Sequence, residues 1–123
     1  MVVMSQHDIA REFFDTYTRA LLARDAKAIA SHYAVPALIV FPQQLIAVSD
    51  VVQTEGFFTS AFSQYEAVSV AQASVEVAAA TSHSIWADVA WDYQGGAPNE
   101  RNMYQLVRDG DAWKIAVLTP LEL

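Results

Sequence analysis

The 123-residue chain has no cysteine, four glycines, four prolines and only seven Lys plus Arg. Without cysteine there is no disulfide framework, no thiolate nucleophile and no zinc site built on sulfur. That absence fits a reducing cytoplasm, where the chain is expected to work. Seven basic residues against fourteen acidic ones give a net charge of -7. Nucleic-acid binding needs a basic footprint that releases counterions from phosphates, so no nucleic-acid partner is expected. The longest apolar run, Ala34 to Phe41, is interrupted by Pro36 and falls well short of the ~20 residues a membrane helix requires, so no membrane partner is expected either. Met1 to Ser5 carries no basic stretch ahead of an apolar one, and no secretory signal is read there. His7, His32 and His83 are scattered without ligand spacing, so neither a metal nor a cofactor is expected.

What the chain has instead is apolar side chain: 54% hydrophobic residues, 17% charged, a mean hydropathy of +0.20. That leaves little charge to cover a monomer, and contiguous apolar surface usually marks a contact. A second copy covering part of the surface is the expectation; a core rich in alanine is the alternative. The length is that of a single domain, 1–123, with enough chain to bury its own core.

Ser5 followed by Asp8 marks a helix start. Ile9, Phe13, Tyr17, Ala20 and Leu21 then recur three and four residues apart, on one face of a helix of about four turns. Asp25 can cap a second helix, Ala26 to Tyr33, whose buried stripe is Ala28, Ile29, His32 and Tyr33; Pro36 blocks its continuation. Ala37–Phe41 and Gln44–Val48 read as short strands around Pro42-Gln43. Ser49, Asp50 and Gln53 open a third helix with capping-box spacing, carrying Val51, Phe58 and Phe62 on one side. Gly56 inside it costs ~1 kcal/mol relative to alanine, which implies a close approach by a neighbour.

From about Ala67 the period becomes two. Val75, Val77 and Ala79 alternate with Ser74, Glu76 and Ala78, while Val68 and Val70 stand in the opposite phase, which implies a bulge near Ala71–Ala73. Between His83 and Gln94, Ile85, Ala87, Val89, Trp91 and Tyr93 form an apolar face against Trp86, Asp88, Ala90 and Asp92. Gly95-Gly96-Ala97-Pro98-Asn99 is a turn, Arg101–Arg108 a strand, Asp109-Gly110 a hairpin signal and Ala112–Thr119 the last strand. Three helices followed by a meander of long strands is an α+β order, with the helices packed on one face of a curved antiparallel sheet. Trp86 and Ala90, on the other face, are the expected homodimer contact.

Several stretches then carry a resemblance: Tyr17-x-x-Ala20-Leu21-x-Ala23-x-Asp25, Pro42 after the first strand, Phe57-Phe58, Trp91-Asp92-Tyr93-Gln94-Gly95, and Arg108-Asp109-Gly110-Asp111-Ala112-Trp113-Lys114-Ile115. Over nearly the whole chain, through loose motifs, the sequence resembles the nuclear-transport-factor-2-like superfamily, which includes ketosteroid isomerases, polyketide cyclases, limonene epoxide hydrolases and scytalone dehydratase. The resemblance implies a cone-shaped fold with an apolar pocket at its wide end, usually as a dimer. In the isomerase pattern, the first-helix tyrosine donor falls on Tyr17, the second acidic donor on or near Tyr104, and a supporting tyrosine near Phe58. The general-base aspartate falls on Phe41. A phenyl ring cannot take a proton, and a positioned base is worth about 10²–10⁴-fold, so isomerase activity is not expected.

Tyr17, Tyr33, Phe41, Phe58, Phe62, Val89, Trp91 and Tyr104 are therefore the candidate lining of a pocket for a small apolar organic ligand. The alternative is that each is an ordinary core aromatic or aliphatic. Tyr17 and Tyr104 supply its polar points and could bond each other or a shared ligand oxygen. No catalytic residue is assigned. Two other functions stay open. One is an isomerase, cyclase or hydrolase using Tyr17 and Tyr104 as donors with a displaced base such as His32. The other is a dimeric interaction module with a closed cavity. Asp88 and Asp92 share a face, but their phase turns them away from the pocket, as solvated or interface charges. A hydrolase-like Asp, Arg, Asp set would need Asp88 and Arg101 to turn inward. Trp113 and Ile115 are read as filling the narrow end.

Overall fold

The computed structural model describes residues 5–95 and 98–122, so part of the expected Gly95–Asn99 turn lies outside the described residues. Helix α1, Gln6–Leu22, starts where the Ser5 hydroxyl accepts from the Asp8 backbone N–H at 3.1 Å. Its buried stripe is Ala10, Phe13, Phe14, Tyr17 and Ala20, rotated slightly from the expected face so that Ile9 and Leu21 lie at its edge. Asp25 caps α2, Ala26–Ala30, through Ala28 N–H.

Here the expectation needs correction: α2 ends at Ala30, and Tyr33 opens strand β1, Tyr33–Phe41. Pro36 lacks an N–H and drives the residue before it into extended backbone, so this segment pairs as a strand more readily than it winds. Tyr33 lies opposite Ile115 of the last strand, and the register shifts between Tyr33 and Leu38, the stretch that contains Pro36. Strand β2, Gln44–Val48, folds back on β1. Helix α3, Val51–Ala61, follows, with Asp50 accepting from Gln53 N–H at 2.8 Å and the Gln53 side chain accepting from Ser49 N–H at 3.0 Å. A 3-10 turn, Phe62–Tyr65, leads out of it.

Strands β3 (Val70–Ala80), β4 (Ser84–Gln94), β5 (Glu100–Asp109) and β6 (Ala112–Leu121) complete one six-stranded sheet in the order β2-β1-β6-β5-β4-β3. The sheet is mostly rather than wholly antiparallel, because β1 runs parallel to β6. Such a pair requires a long crossover, which α3 and four strands supply. The bulge also moves. The β3–β4 register is unbroken from Val70 to Val77 and shifts between Val77 and Ala79, not at Ala71–Ala73. Val68, whose phase suggested the earlier bulge, precedes the strand and is buried in the connection.

The helices cover one face of this curved α+β sheet. Ile85, Ala87, Val89 and Trp91 of β4 are at most 2% exposed against them, as their alternation predicts. Each fully buried aliphatic side chain of this kind contributes roughly 1.5–3 kcal/mol. Ile115 is fully buried and Trp113 packs at the core's edge. Among the described residues no helix is long and apolar enough to cross a membrane.

Two glycines have positive φ with different surroundings. A Cβ on Gly110 (φ 62°) would meet nothing within 4 Å, whereas one on Gly95 (φ 119°) would lie 1.9 Å from the Ala67 carbonyl oxygen. Gly110→Ala is expected to cost about 1 kcal/mol, the backbone preference alone. Gly95→Ala is expected to cost at least twice as much, because backbone must also move. Urea unfolding of the two variants checks the order.

Candidate functional site

Four elements bring polar groups to the covered face of the sheet. Tyr17 comes from α1 and Tyr33 from the start of β1; their hydroxyls bond each other at 2.7 Å, and both residues are nearly completely buried. Of the two arrangements open to Tyr17 and Tyr104, a bond to each other or to a shared ligand oxygen, the direct bond is not the one made. Tyr104 instead accepts two hydrogen bonds of 3.1 Å, from the indole N–H of Trp91 and the side-chain amide of Asn102. An indole nitrogen can only donate, so the acceptor role of Tyr104 is fixed and its own proton remains to be given. Among the described residues no acceptor takes it.

Burial, and then the neighbouring phenols, push the Tyr17 hydroxyl far above the usual tyrosine range; burial does the same for Tyr33 and Tyr104. All three stay neutral and keep their protons. Ring packing fixes their positions: Phe14 lies 4.8 Å from Tyr104 and 6.3 Å from Trp91, and Phe58 lies 5.4 Å from Tyr33.

Beside this cluster is a cavity of about 1040 Å³. The cavity is only partly enclosed and is reached from solvent on one side, so water or a ligand can enter it. Of the eight candidate residues, Tyr17, Tyr33, Phe41, Phe58, Phe62, Trp91 and Tyr104 line it. Val89 does not. It sits on the same face of β4 two residues from Trp91, fully buried in the core.

Gly56 also opens onto the cavity, and a Cβ there would meet nothing within 4 Å. The close approach expected at Gly56 is therefore replaced by open space. Glu100, Asn102, Tyr65, Tyr93 and Phe57, none of them among the candidate pocket residues, line the cavity too. The signal for two of them was available: Glu100, Asn102, Tyr104 and Leu106 alternate along β5 and so share one face. Tyr65 donates its hydroxyl to Glu100, which lies opposite Trp91 in the β4–β5 ladder.

Arg24 closes one side. It stands just past the end of α1 at φ 52°, a conformation that favours glycine, with the two backbone bonds of a Schellman cap behind it. Its guanidinium donates to the carbonyls of Leu22, Tyr65, Glu66 and Val68. Those bonds tie the helix to the segment entering β3. Asp88 and Arg101 pair on the outer face, with Nε to Oδ1 at 2.9 Å, and the bonds from Arg101 hold the Asp88 carboxyl below its usual range.

His32, considered as a displaced base, does not line the cavity. Its Nδ1–H donates to the Ala28 carbonyl at 2.8 Å, and its ring packs edge-on against Phe13. No group of three or more His, Asp or Glu able to hold a metal occurs among the described residues.

A curved sheet covered by helices on one face, with an aromatic cavity between the layers, defines a class of small α+β domains. Residues 6–122 match the family described as NTF2-like protein (DUF6841), and the chain belongs to that family. No curated protein matches it. Among solved structures, an NTF2-like protein of unknown function from Shewanella oneidensis is similar at TM-score 0.78 and 12% identity, over 94% of this chain and 98% of that one. An NTF2-like protein from Cytophaga hutchinsonii gives TM-score 0.75 at 11% identity, over 98% and 100% of the two chains. A candidate ketosteroid isomerase from Shewanella frigidimarina gives TM-score 0.74 at 12% identity, over 92% and 94%.

Burial, the largest influence on His32, lowers its pKa from the usual 6.5. The unfolded chain therefore binds more protons than the folded one between that lowered value and about 6.5, and stability falls as pH drops through the window. Urea midpoints at pH 7.5 and pH 5 are expected to fall less for His32→Gln than for the unaltered chain; equal losses would remove His32 from the account.

Proposed function

We propose that the chain is a binding domain for a small, largely apolar organic molecule, acting in the cytoplasm as a homodimer. The observation that carries the reading is the large cavity lined by the buried Tyr104, which has a proton to give, with Phe41 where a base would stand. At about 1040 Å³ the cavity lies at the upper end of ligand-site volumes, roughly 300–1,000 Å³.

An isomerase, cyclase or hydrolase is the second reading, and Glu100 is what favours it, as a carboxylate lining the same cavity as Tyr17. Its position argues for binding instead. The Glu100 carboxylate is taken up by the Tyr65 hydroxyl at the start of β5, four residues along the strand from Tyr104, and is not bonded to the Tyr104 donor.

A panel of apolar aryl ketones, screened by thermal shift, tests the binding reading. Gly56→Leu supplies the control: it removes a helix-interior glycine worth up to ~1 kcal/mol and projects side chain into the cavity. The variant is expected to melt higher than the unaltered protein without ligand and to lose the ligand-induced shift. A shift that survives would place the ligand elsewhere.

Support for the dimer comes from the uncovered face of the sheet, where Trp86 is partly exposed and Ala90 fully so. Trp86→Asp is expected to halve the mass in solution. An unchanged mass would remove Trp86 from the contact.

A further inference from the structure

The two ends of the cavity differ in chemistry, and the difference narrows the ligand. At the inner end stands a hydrogen-bond donor. Tyr104 is 2% exposed, both bonds to its oxygen come from donors, and its proton meets no acceptor among the described residues. An oxygen acceptor on the ligand completes it.

At the outer end the groups are acceptors. Glu100 is partly exposed at the start of β5, bound by the Tyr65 hydroxyl, and Glu122 lines the same end. A carboxylate offers about four lone-pair directions, and the tyrosine uses one. Two arginines lie near, and both are committed. The Arg24 guanidinium donates to four backbone carbonyls, and that of Arg101 is held by both oxygens of Asp88. Arg101 is thus paired with Asp88, and Arg24, whose carbonyl partners leave its charge in place, makes no bond to Glu100 among the described residues. Aromatic faces stand beside it: Tyr65 meets Tyr93 edge-on at 5.4 Å, and Tyr93 stacks on Trp91 at 6.0 Å. Ring faces next to a carboxylate suit a cation. The net charge of -7 attracts cations and repels anions at longer range.

Resting on the reading of the cavity as a ligand site, we infer that Glu100, Tyr65 and Tyr93 form a cation subsite, so that the ligand is an aryl ketone or aldehyde carrying a protonated amine at its far end. Glu100 and Tyr104 lie four residues apart on one face of β5, so the ligand presents its two polar groups at opposite ends of an apolar core. An anionic group at that end is disfavoured beside the two glutamates.

The test uses the full chain and a matched pair of probes: 2-acetyl-6-(dimethylaminomethyl)naphthalene, a tertiary amine protonated at neutral pH, and 2-acetyl-6-isobutylnaphthalene, its uncharged isostere. Kd values come from tryptophan fluorescence at low and high salt. The amine is expected to bind roughly tenfold tighter than the isobutyl compound, with the advantage shrinking as salt rises. Glu100→Gln keeps an acceptor for Tyr65 but not the charge; it is expected to erase the preference and leave the isobutyl ketone unchanged. Tyr104→Phe is expected to weaken both probes equally. Equal binding of the two probes by the unaltered protein, both lost in Gly56→Leu, overturns the cation subsite and leaves the ligand cavity standing. A preference that persists in Glu100→Gln also overturns it. If neither probe binds, the cavity reading falls and the subsite with it.

Discussion

A phenol taken out of water must keep its hydroxyl bonded, at a cost of about 1–3 kcal/mol where it cannot. The interior of this domain is arranged by that constraint. Tyr17 hangs from α1 and Tyr33 opens β1, and their mutual bond fixes the distance between helix and sheet. Tyr104 meets the same requirement within the sheet, through Trp91 on the neighbouring strand and Asn102 on its own. Both solutions leave a proton over: one hydroxyl of the tyrosine pair must donate to the other, so the second proton of that pair is free of it. A cluster that satisfies its oxygens and not all its protons is suited to an acceptor arriving from outside.

Such a cluster is useful only if the space beside it stays open, and here backbone attachments do what packing cannot. Arg24 adopts a conformation that costs an ordinary residue about 1 kcal/mol or more. The bonds from its guanidinium to the carbonyls of Tyr65, Glu66 and Val68 offset that cost, each being charge-assisted. They anchor the segment entering β3 to the end of α1. Gly95 packs beneath the same segment, with no room for a side chain against Ala67. The wall carrying Tyr65 and Phe62 is held from two sides, so it keeps its place beside open space.

How much of this could be read from the sequence depended on whether the deciding contact was local. The caps at Ser5, Asp25 and Asp50, strand β2 and the phase of β4 follow from neighbours in the chain, and each lies where the residues indicate. The end of α2 does not. Ala28 to Tyr33 suits a helix stripe or a strand equally, and the pairing of Tyr33 with Ile115 at the far end of the chain decides it. The parallel β1–β6 pair is invisible for the same reason. Gly56 shows a subtler failure: a helix-interior glycine signals that something is special, but not whether the special thing is a close neighbour or an empty space. Glu100 was legible and overlooked, because a polar residue at a strand end is usually read as surface. Its period-two relation to Tyr104 places it inside.

The position of that acid relative to the donors sets the character of the site. Where a base stands beside a donor pair, the donors gain strength as charge develops on the substrate oxygen, and binding energy is converted into rate. Here the wall beside the β1–β2 hairpin is Phe41, packed against Phe57, and it offers only dispersion. Glu100 stands four residues along β5 from Tyr104, its carboxylate bonded by Tyr65 rather than poised beside the oxygen held there. Donor and acceptor at opposite ends of an apolar cavity act on different parts of a ligand. They hold the ground state and fix which way round it lies, and no step in between makes either bond stronger. The same two kinds of group that would make a catalyst at contact distance make an oriented receptor when the cavity separates them.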